Sequence, residues 1–171
     1  IAQREHAGKP VTLLVKVSQA SLQNDALTTM IGEQLAMRGA SGEYLALQLQ
    51  EAKVFTHLHA VQQFAATVNG FGCRLGLEQF GAGLDSFQLL THVQPQLVKI
   101  DRSFIEDIPK NNESQQRVRE IAQKARDLDI LTIAEFVQDA ASMSILFSAG
   151  VDYVEGHFLA TAGPEMNYDF E

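Results

Sequence analysis

Val98–Phe104 reads VKIDRSF, an apolar run that ends in a lysine, an aspartate and an arginine. A buried parallel strand has this form where it enters a functional face: apolar along its length, polar at its C-terminal end. Four further stretches share the form. They are Leu14–Ser18 (LVKVS), Leu47–Glu51 (LQLQE), Leu75–Gly81 (LGLEQFG) and Ile133–Gln138 (IAEFVQ). Lys16, Gln48, Glu78, Lys99 and Glu135 are therefore the candidate residues of one strand-end site.

The segments between these strands carry helical periodicity. A helix is expected over Leu22–Arg38, closed by Gly39, between strands at Val11–Val17 and Tyr44–Leu49. Thr56 is expected to cap a helix whose stripe is Leu58, Val61, Phe64, Ala65 and Val68. A third strand over Cys73–Phe80 precedes a short helix over Asp85–His92, and a fourth strand covers Leu97–Ile100. After a polar loop, Pro109–Ser114, a stripe of Val118, Ile121, Ala122, Ala125 and Leu128 marks the next helix. A fifth strand, Ile130–Ala134, leads to a helix capped by Asp139, with Met143, Leu146 and Phe147 inward and Gly150 at its end. Val151–Val154 is the sixth strand.

Alternating strands and helices, with strand starts about 20–35 residues apart, mean parallel βα units. Such units build an open doubly wound sheet or part of a (β/α)8 barrel. No glycine-rich dinucleotide fingerprint follows the first strand, which argues against the Rossmann form. Periodicity alone leaves the choice open.

Composition narrows the function. The chain has 171 residues, 46% of them apolar, enough for one domain with a sizeable core. No run approaches the roughly 18–20 apolar residues of a membrane span, so membrane insertion is not expected. The net charge of -8 repels polyanions and speaks against general nucleic-acid binding, though not against a small nucleotide in a pocket with local cations. The single cysteine, Cys73, can form no internal disulfide, which fits a reducing, cytoplasmic compartment. The histidines follow no metal-ligand spacing; His57 and His59, two apart, face different directions on a helix and read as solvated or packing residues. Lys124 and Arg126 read as a solvated helix face.

In order and separation, four motifs resemble those of the EAL family, cyclic di-GMP phosphodiesterases named for a Glu-Ala-Leu motif. Lys99–Ile105 (KIDRSFI) is similar to the run after the family's sixth barrel strand. Glu78–Gly81 (EQFG) resembles its DDFG, Ala134–Gln138 (AEFVQ) its AEGVE, and Glu155–His157 (EGH) its QGY. The resemblance covers essentially the whole chain and implies a single incomplete EAL domain over residues 1–171. The implied fold is α/β, a (β/α)8 TIM-barrel-like fold lacking its first two strands in this chain.

The resemblance also shows what has changed. At the family's metal ligands this chain has Lys16 for an asparagine, Gln48 for a glutamate, and Glu78 and Gln79 for paired aspartates. Retained are Glu51, which steadies a loop in the family, the catalytic lysine as Lys99, and the AEG glutamate as Glu135. Phe136 replaces the AEG glycine, Gln138 the last glutamate of AEGVE, and Glu155 the glutamine of QGY. Two-metal cleavage needs hard anionic oxygens that hold the ions about 3.5–4 Å apart. An ammonium and two amides are a poor set, so no divalent metal, no cofactor and no catalytic residue are expected.

The same changes suit a ligand with two phosphates. Lys16 and Lys99 offset phosphate charge, Phe136 offers a face for guanine, and Glu135 or Glu155 can accept guanine N–H groups. With Glu78, Asp101, Gly156 and Pro164 these form the expected binding set. The chain is similar in this to the FimX type of degenerate EAL domain, which binds cyclic di-GMP without cleaving it and signals to a PilZ-family protein at the type IV pilus machinery. The tail PEMNYDF, from Pro164, also resembles that group. Two other readings stay open: a protein-interaction module that has lost the nucleotide, and an active phosphodiesterase. Lys16 and Glu78 can equally form an ion pair that fills a dead metal site, and Phe136 can be core packing. Arg102–Ile105 is a dimer surface in some relatives and a helix-packing segment in others, so a homodimer is compatible with the chain.

Overall fold

Short runs rich in Leu, Ile and Val form the strands here, and parallel pairing with their neighbours satisfies their backbone groups. A computed structural model of the chain describes residues 1–23, 25–160 and 163. Among these residues six strands form one sheet, in sequence order: β1 (Leu13–Lys16), β2 (Leu45–Gln50), β3 (Arg74–Phe80), β4 (Leu97–Ile100), β5 (Leu131–Ala134) and β6 (Tyr153–Val154). The registered pairs are parallel, with Lys16 beside Gln48, Gln50 beside Glu78, and Ala134 beside Val154. The helices are α1 (Ala2–His6), α2 (Ala26–Arg38), α3 (Glu51–Thr56), α4 (Leu58–Gly70), α5 (Ser86–Val93), α6 (Asn112–Asp127) and α7 (Ala140–Ala149). The expected α/β class, built from consecutive parallel βα units, is the one observed. No helix among the described residues is long and apolar enough to cross a membrane.

The chain divides into two compact units. Residues 1–78 and 83–97 form the first, and residues 79–82 with Val98 onward form the second. In the first, Leu47 and Leu49 of β2 and Leu75 and Leu77 of β3 are buried, as are Val61, Phe64, Ala65 and Val68 of α4 and Leu89 and Leu90 of α5. Period-two strands and an i, i+3, i+4 stripe meet in one core, as the pattern predicts. Gly39 takes the left-handed conformation (φ 58°) that ends α2. Cys73 is a free, buried thiol, and burial pushes its pKa up.

Thr56 is not a helix cap. A six-residue helix, α3, starts at the end of β2, and Thr56 is its last residue, with its hydroxyl donating to the Lys53 carbonyl at 3.0 Å. His57 separates α3 from α4. A helix of under two turns leaves no periodic signal in the sequence. The expected helix from Leu22 is in fact a 3-10 turn over Gln19–Gln23 followed by α2.

In the second unit Val98, Ile100, Ile105, Ile108, Val118, Ile121, Ala122, Ala125, Ile133 and Leu146 are buried. Asp139 caps α7 as expected. Its carboxylate accepts from the Ser142 backbone N–H at 2.7 Å, and this bond holds its pKa below the ordinary value. Gly150 ends α7 with φ 90°. Three expectations give way. Leu128 is exposed because it lies one residue past the end of α6. Phe147 is exposed because Ser142 and Leu146, four apart, set the inward face of α7. Pro109–Ser114 is not an open loop: Ile108–Lys110 is a 3-10 turn anchored by buried Ile108, and α6 begins at Asn112. Arg126 is also less free than a solvated residue, since its guanidinium donates to the Gly150 carbonyl at 3.2 Å.

Candidate functional site

Five polar side chains sit within two residues of the C-terminal ends of their strands: Lys16 of β1, Gln48 of β2, Glu78 of β3, Lys99 of β4 and Glu135 after β5. Parallel βα units place functional groups at this end, because the loops that follow the strands can vary without disturbing the core. Each unit holds one cluster.

In the first unit, register sets the geometry. Lys16 pairs with Gln48 and Gln48 with Gly76, so these residues share a sheet face, and Glu78, two further along β3, shares it too. Lys16 Nζ lies 2.8 Å from Glu78 Oε2. The lysine side chain is 68% exposed and the glutamate side chain 6% exposed, so a solvated cation reaches down onto a buried anion. Gln48, on the strand between them, is buried, and its amide Nε2 has no hydrogen-bond partner among the described residues. Gly76 makes room for it: a β-carbon there would stand 3.2 Å from Gln48 Cγ and 2.6 Å from Leu97 Cδ1. Glu51, at the start of α3, is buried and accepts the Ser86 hydroxyl at 2.6 Å. That bond ties the end of β2 to the first turn of α5. Lys16, Gln19, Gln50, Lys53 and Glu78 line a groove of about 380 Å³.

In the second unit, Lys99 is buried between two carboxylates. Its Nζ donates to Glu155 Oε1 at 2.8 Å and lies 3.8 Å from Glu135 Oε2. Burial of an ammonium requires such partners. Beside them Phe136 adopts φ +63°, a left-handed conformation that is an outlier for a bulky aromatic residue. Backbone bonds hold the segment there: Val137 N–H donates to the Glu155 carbonyl at 3.0 Å, and Glu155 N–H to the Ala134 carbonyl at 2.8 Å. Gly156 permits this close approach, because a β-carbon at that position would collide with the Val137 carbonyl. The Phe136 side of this unit opens on a groove of about 770 Å³ lined by Glu135, Phe136, Gln138, Glu155, Gly156 and His157.

The expected binding residues thus fall into place unequally. Lys16 and Glu78 pair directly, and Glu135, Phe136, Glu155 and Gly156 line one groove next to Lys99. Asp101 acts locally, where its Oδ1 accepts the backbone N–H of Ser103 at 3.0 Å and the Ser103 hydroxyl at 2.6 Å. Pro164 and the tail after it lie outside the described residues. Sequence reading places Arg102 only in a dimer or helix-packing segment and does not foresee its place beside Phe136. Its Cζ stands 4.7 Å from the centroid of the Phe136 ring, and its Nη2 pairs with Glu106 at 2.7 Å. Thirty-odd residues separate Arg102 from Phe136, and no spacing rule connects them. Ile105, in the same segment, is buried.

The comparisons with known proteins agree with the motifs. The EAL domain family model matches residues 1–162. The FimX EAL domain of Xanthomonas citri, solved in complex with c-di-GMP, is 51% identical, with a TM-score of 0.94 over 99% of this chain and 67% of that one. The FimX EAL domain of Pseudomonas aeruginosa bound to c-di-GMP is 31% identical, with a TM-score of 0.88 over 94% of this chain and 66% of that one. The cyclic di-GMP phosphodiesterase PdeF of Escherichia coli is 27% identical over 150 residues, 88% of this chain and 20% of its own length. The chain spans about a fifth of the length of the curated relatives it matches. With six parallel strands in consecutive order, a structural match at a TM-score of 0.94 and a family match over residues 1–162, the chain belongs to the EAL domain family and has a partial form of that family's TIM-barrel-like fold.

Proposed function

We propose that the chain is a cyclic di-GMP receptor domain that does not hydrolyse its ligand and that signals through a protein partner. The observation that carries the proposal is the 2.8 Å contact between Lys16 Nζ and Glu78 Oε2. A carboxylate that neutralises an ammonium is a poor ligand for a dication, and a dication brought to the same oxygen would be repelled by the lysine. Gln48 adds only a neutral amide to that strand face. Among the described residues no three His, Cys, Asp or Glu side chains gather in a form that could hold a metal ion. The donor set does not fit the divalent ions of two-metal cleavage.

The second unit supports nucleotide binding. Phe136 is 40% exposed and faces a groove that also presents Glu135 and Glu155. An aromatic face beside carboxylate acceptors suits guanine, which stacks through its ring and donates through its N–H edge. Two FimX EAL domains, at 51% and 31% identity, are solved with c-di-GMP, which favours the same ligand here. The partner belongs to the proposal as well: by likeness to FimX it is a PilZ-family protein at the type IV pilus machinery. Cytoplasmic placement is part of the same reading, supported by the free buried thiol of Cys73.

Calorimetry with cyclic di-GMP on the full-length protein in EDTA tests the receptor reading, and binding with unchanged affinity after Mg²⁺ is restored is the expected result. No binding in either buffer would leave the protein-interaction module as the reading. Linear product after incubation with Mg²⁺ or Mn²⁺ would instead place the chain with its phosphodiesterase relatives.

A further inference from the structure

Phe136 stands where a side chain is hard to place. A non-glycine residue at φ +63° is disfavoured, and such a conformation persists only where its surroundings over-determine it. The backbone bonds from Val137 and Glu155 hold the peptide. They do not hold the ring, which can still turn about its side-chain torsions. Arg102 supplies that second restraint. Its guanidinium carbon lies 4.7 Å from the ring centroid, inside the roughly 6 Å reach of a cation–π contact. The guanidinium is itself anchored, because Nη2 pairs with Glu106 Oε1 at 2.7 Å. Glu106, Arg102 and Phe136 form a chain of three side chains that ends at the groove.

We propose that Arg102 is a positioning residue that fixes the Phe136 ring as a platform for a stacked guanine, a role that rests on the receptor reading above. Arg102 acts through the ring and not on the ligand. A planar guanidinium lies flat against an aromatic face, and a lysine ammonium does not. The restraint therefore depends on arginine and not only on positive charge. Pre-ordering the ring spares the ligand the entropy of ordering it, which is how a residue that never touches the nucleotide raises affinity for it.

Two measurements test this. In calorimetry on the full-length protein, Arg102→Ala should weaken cyclic di-GMP binding roughly two- to fivefold, the range expected of an exposed cation–π contact. Arg102→Lys should recover part of that loss. In a Phe136→Ala background, Arg102→Ala should have no further effect. An equal loss in that background would mean that Arg102 acts elsewhere, and an unchanged affinity in the single variant would mean that it does not act at all; either overturns the proposal. The second measurement needs no ligand. The chain contains no tryptophan, so in a protein freed of any other tryptophan Phe136→Trp creates a single fluorophore at the platform. Adding Arg102→Ala should shift its emission to the red and raise its quenching by acrylamide; identical spectra would refute the positioning role. If the wild-type protein fails to bind cyclic di-GMP while the tryptophan still responds to Arg102, the receptor reading falls and the restraint on the ring stands.

Discussion

Lys16 Nζ meets Glu78 Oε2 at 2.8 Å across two strands that do not pair with each other, β1 and β3, with buried Gln48 of β2 between them. The contact spans one face of the sheet, which Lys16, Gln48 and Glu78 share. It satisfies a carboxylate that burial would otherwise leave costly.

Removing the lysine should therefore expose that cost. Lys16→Ala should destabilise the protein by about 1–2 kcal/mol, since one partner of the pair is buried and the other is solvated. Lys16→Ala with Glu78→Gln should recover part of the loss. Urea denaturation of the full double-mutant cycle measures the coupling. Effects that add within about 0.3–0.5 kcal/mol would mean that the pair does not interact.

If the metal-free reading is right, placing hard oxygen donors on this sheet face should create metal binding. The combined variant Lys16→Asn, Gln48→Glu, Glu78→Asp and Gln79→Asp should take up Mn²⁺, and the wild-type protein should not. Anomalous scattering from Mn²⁺-soaked crystals reads the outcome. Two ions about 3.5–4 Å apart in the wild type would refute the metal-free reading.

Phe136→Gly should separate stability from binding. It puts a glycine at a left-handed position and relieves strain of roughly 1–3 kcal/mol, offset in part by the lost Arg102 contact. Thermal stability should hold or rise. Affinity for cyclic di-GMP should fall by the roughly 1–3 kcal/mol of one base–aromatic stack. A melting temperature that falls together with an unchanged affinity would assign Phe136 to packing.

Asp139 gives the protein an acid-sensitive helix end. The Ser142 backbone N–H, and then the Ser142 side chain, hold its pKa below the ordinary 3.8. A depressed folded-state value means that the contribution to stability is complete above the unfolded value and is lost as pH falls through the folded one. Asp139→Asn should thus be less stable than wild type at neutral pH, and the gap should close as pH drops below about 4. Denaturation curves across that range check it, and a gap that widens in acid would contradict the assigned cap.

Much of this was legible in the order of residues. Apolar runs ending in Lys16, Glu78, Lys99 and Glu135 marked strand ends, because strand burial and parallel connection leave polar groups only where a strand reaches a functional face. Asp139, Gly39 and Gly150 marked helix boundaries, because caps satisfy backbone groups within three or four residues of themselves. Both signals are local. The short helix Glu51–Thr56 was not legible, since fewer than two turns carry no period, and the partner of Glu51, its first residue, is Ser86, thirty-five positions away. Nor was the outward turn of Phe147, which follows from how α7 packs.

Side-chain partnership at the candidate site belonged to the tertiary structure. The sequence alone could name Lys16 and Glu78 as replacements and leave open an ion pair or a ligand contact. Only the register of β1, β2 and β3 brought Lys16 Nζ within 2.8 Å of Glu78. Phe136 could be named as a platform or as core. Its left-handed backbone, held by bonds to the β6 loop, and the guanidinium of Arg102 beside its ring decided how it is presented. Local propensity acts over one turn or one pleat, whereas these contacts join residues 18 to 62 positions apart, and only the folded sheet sets distances on that scale.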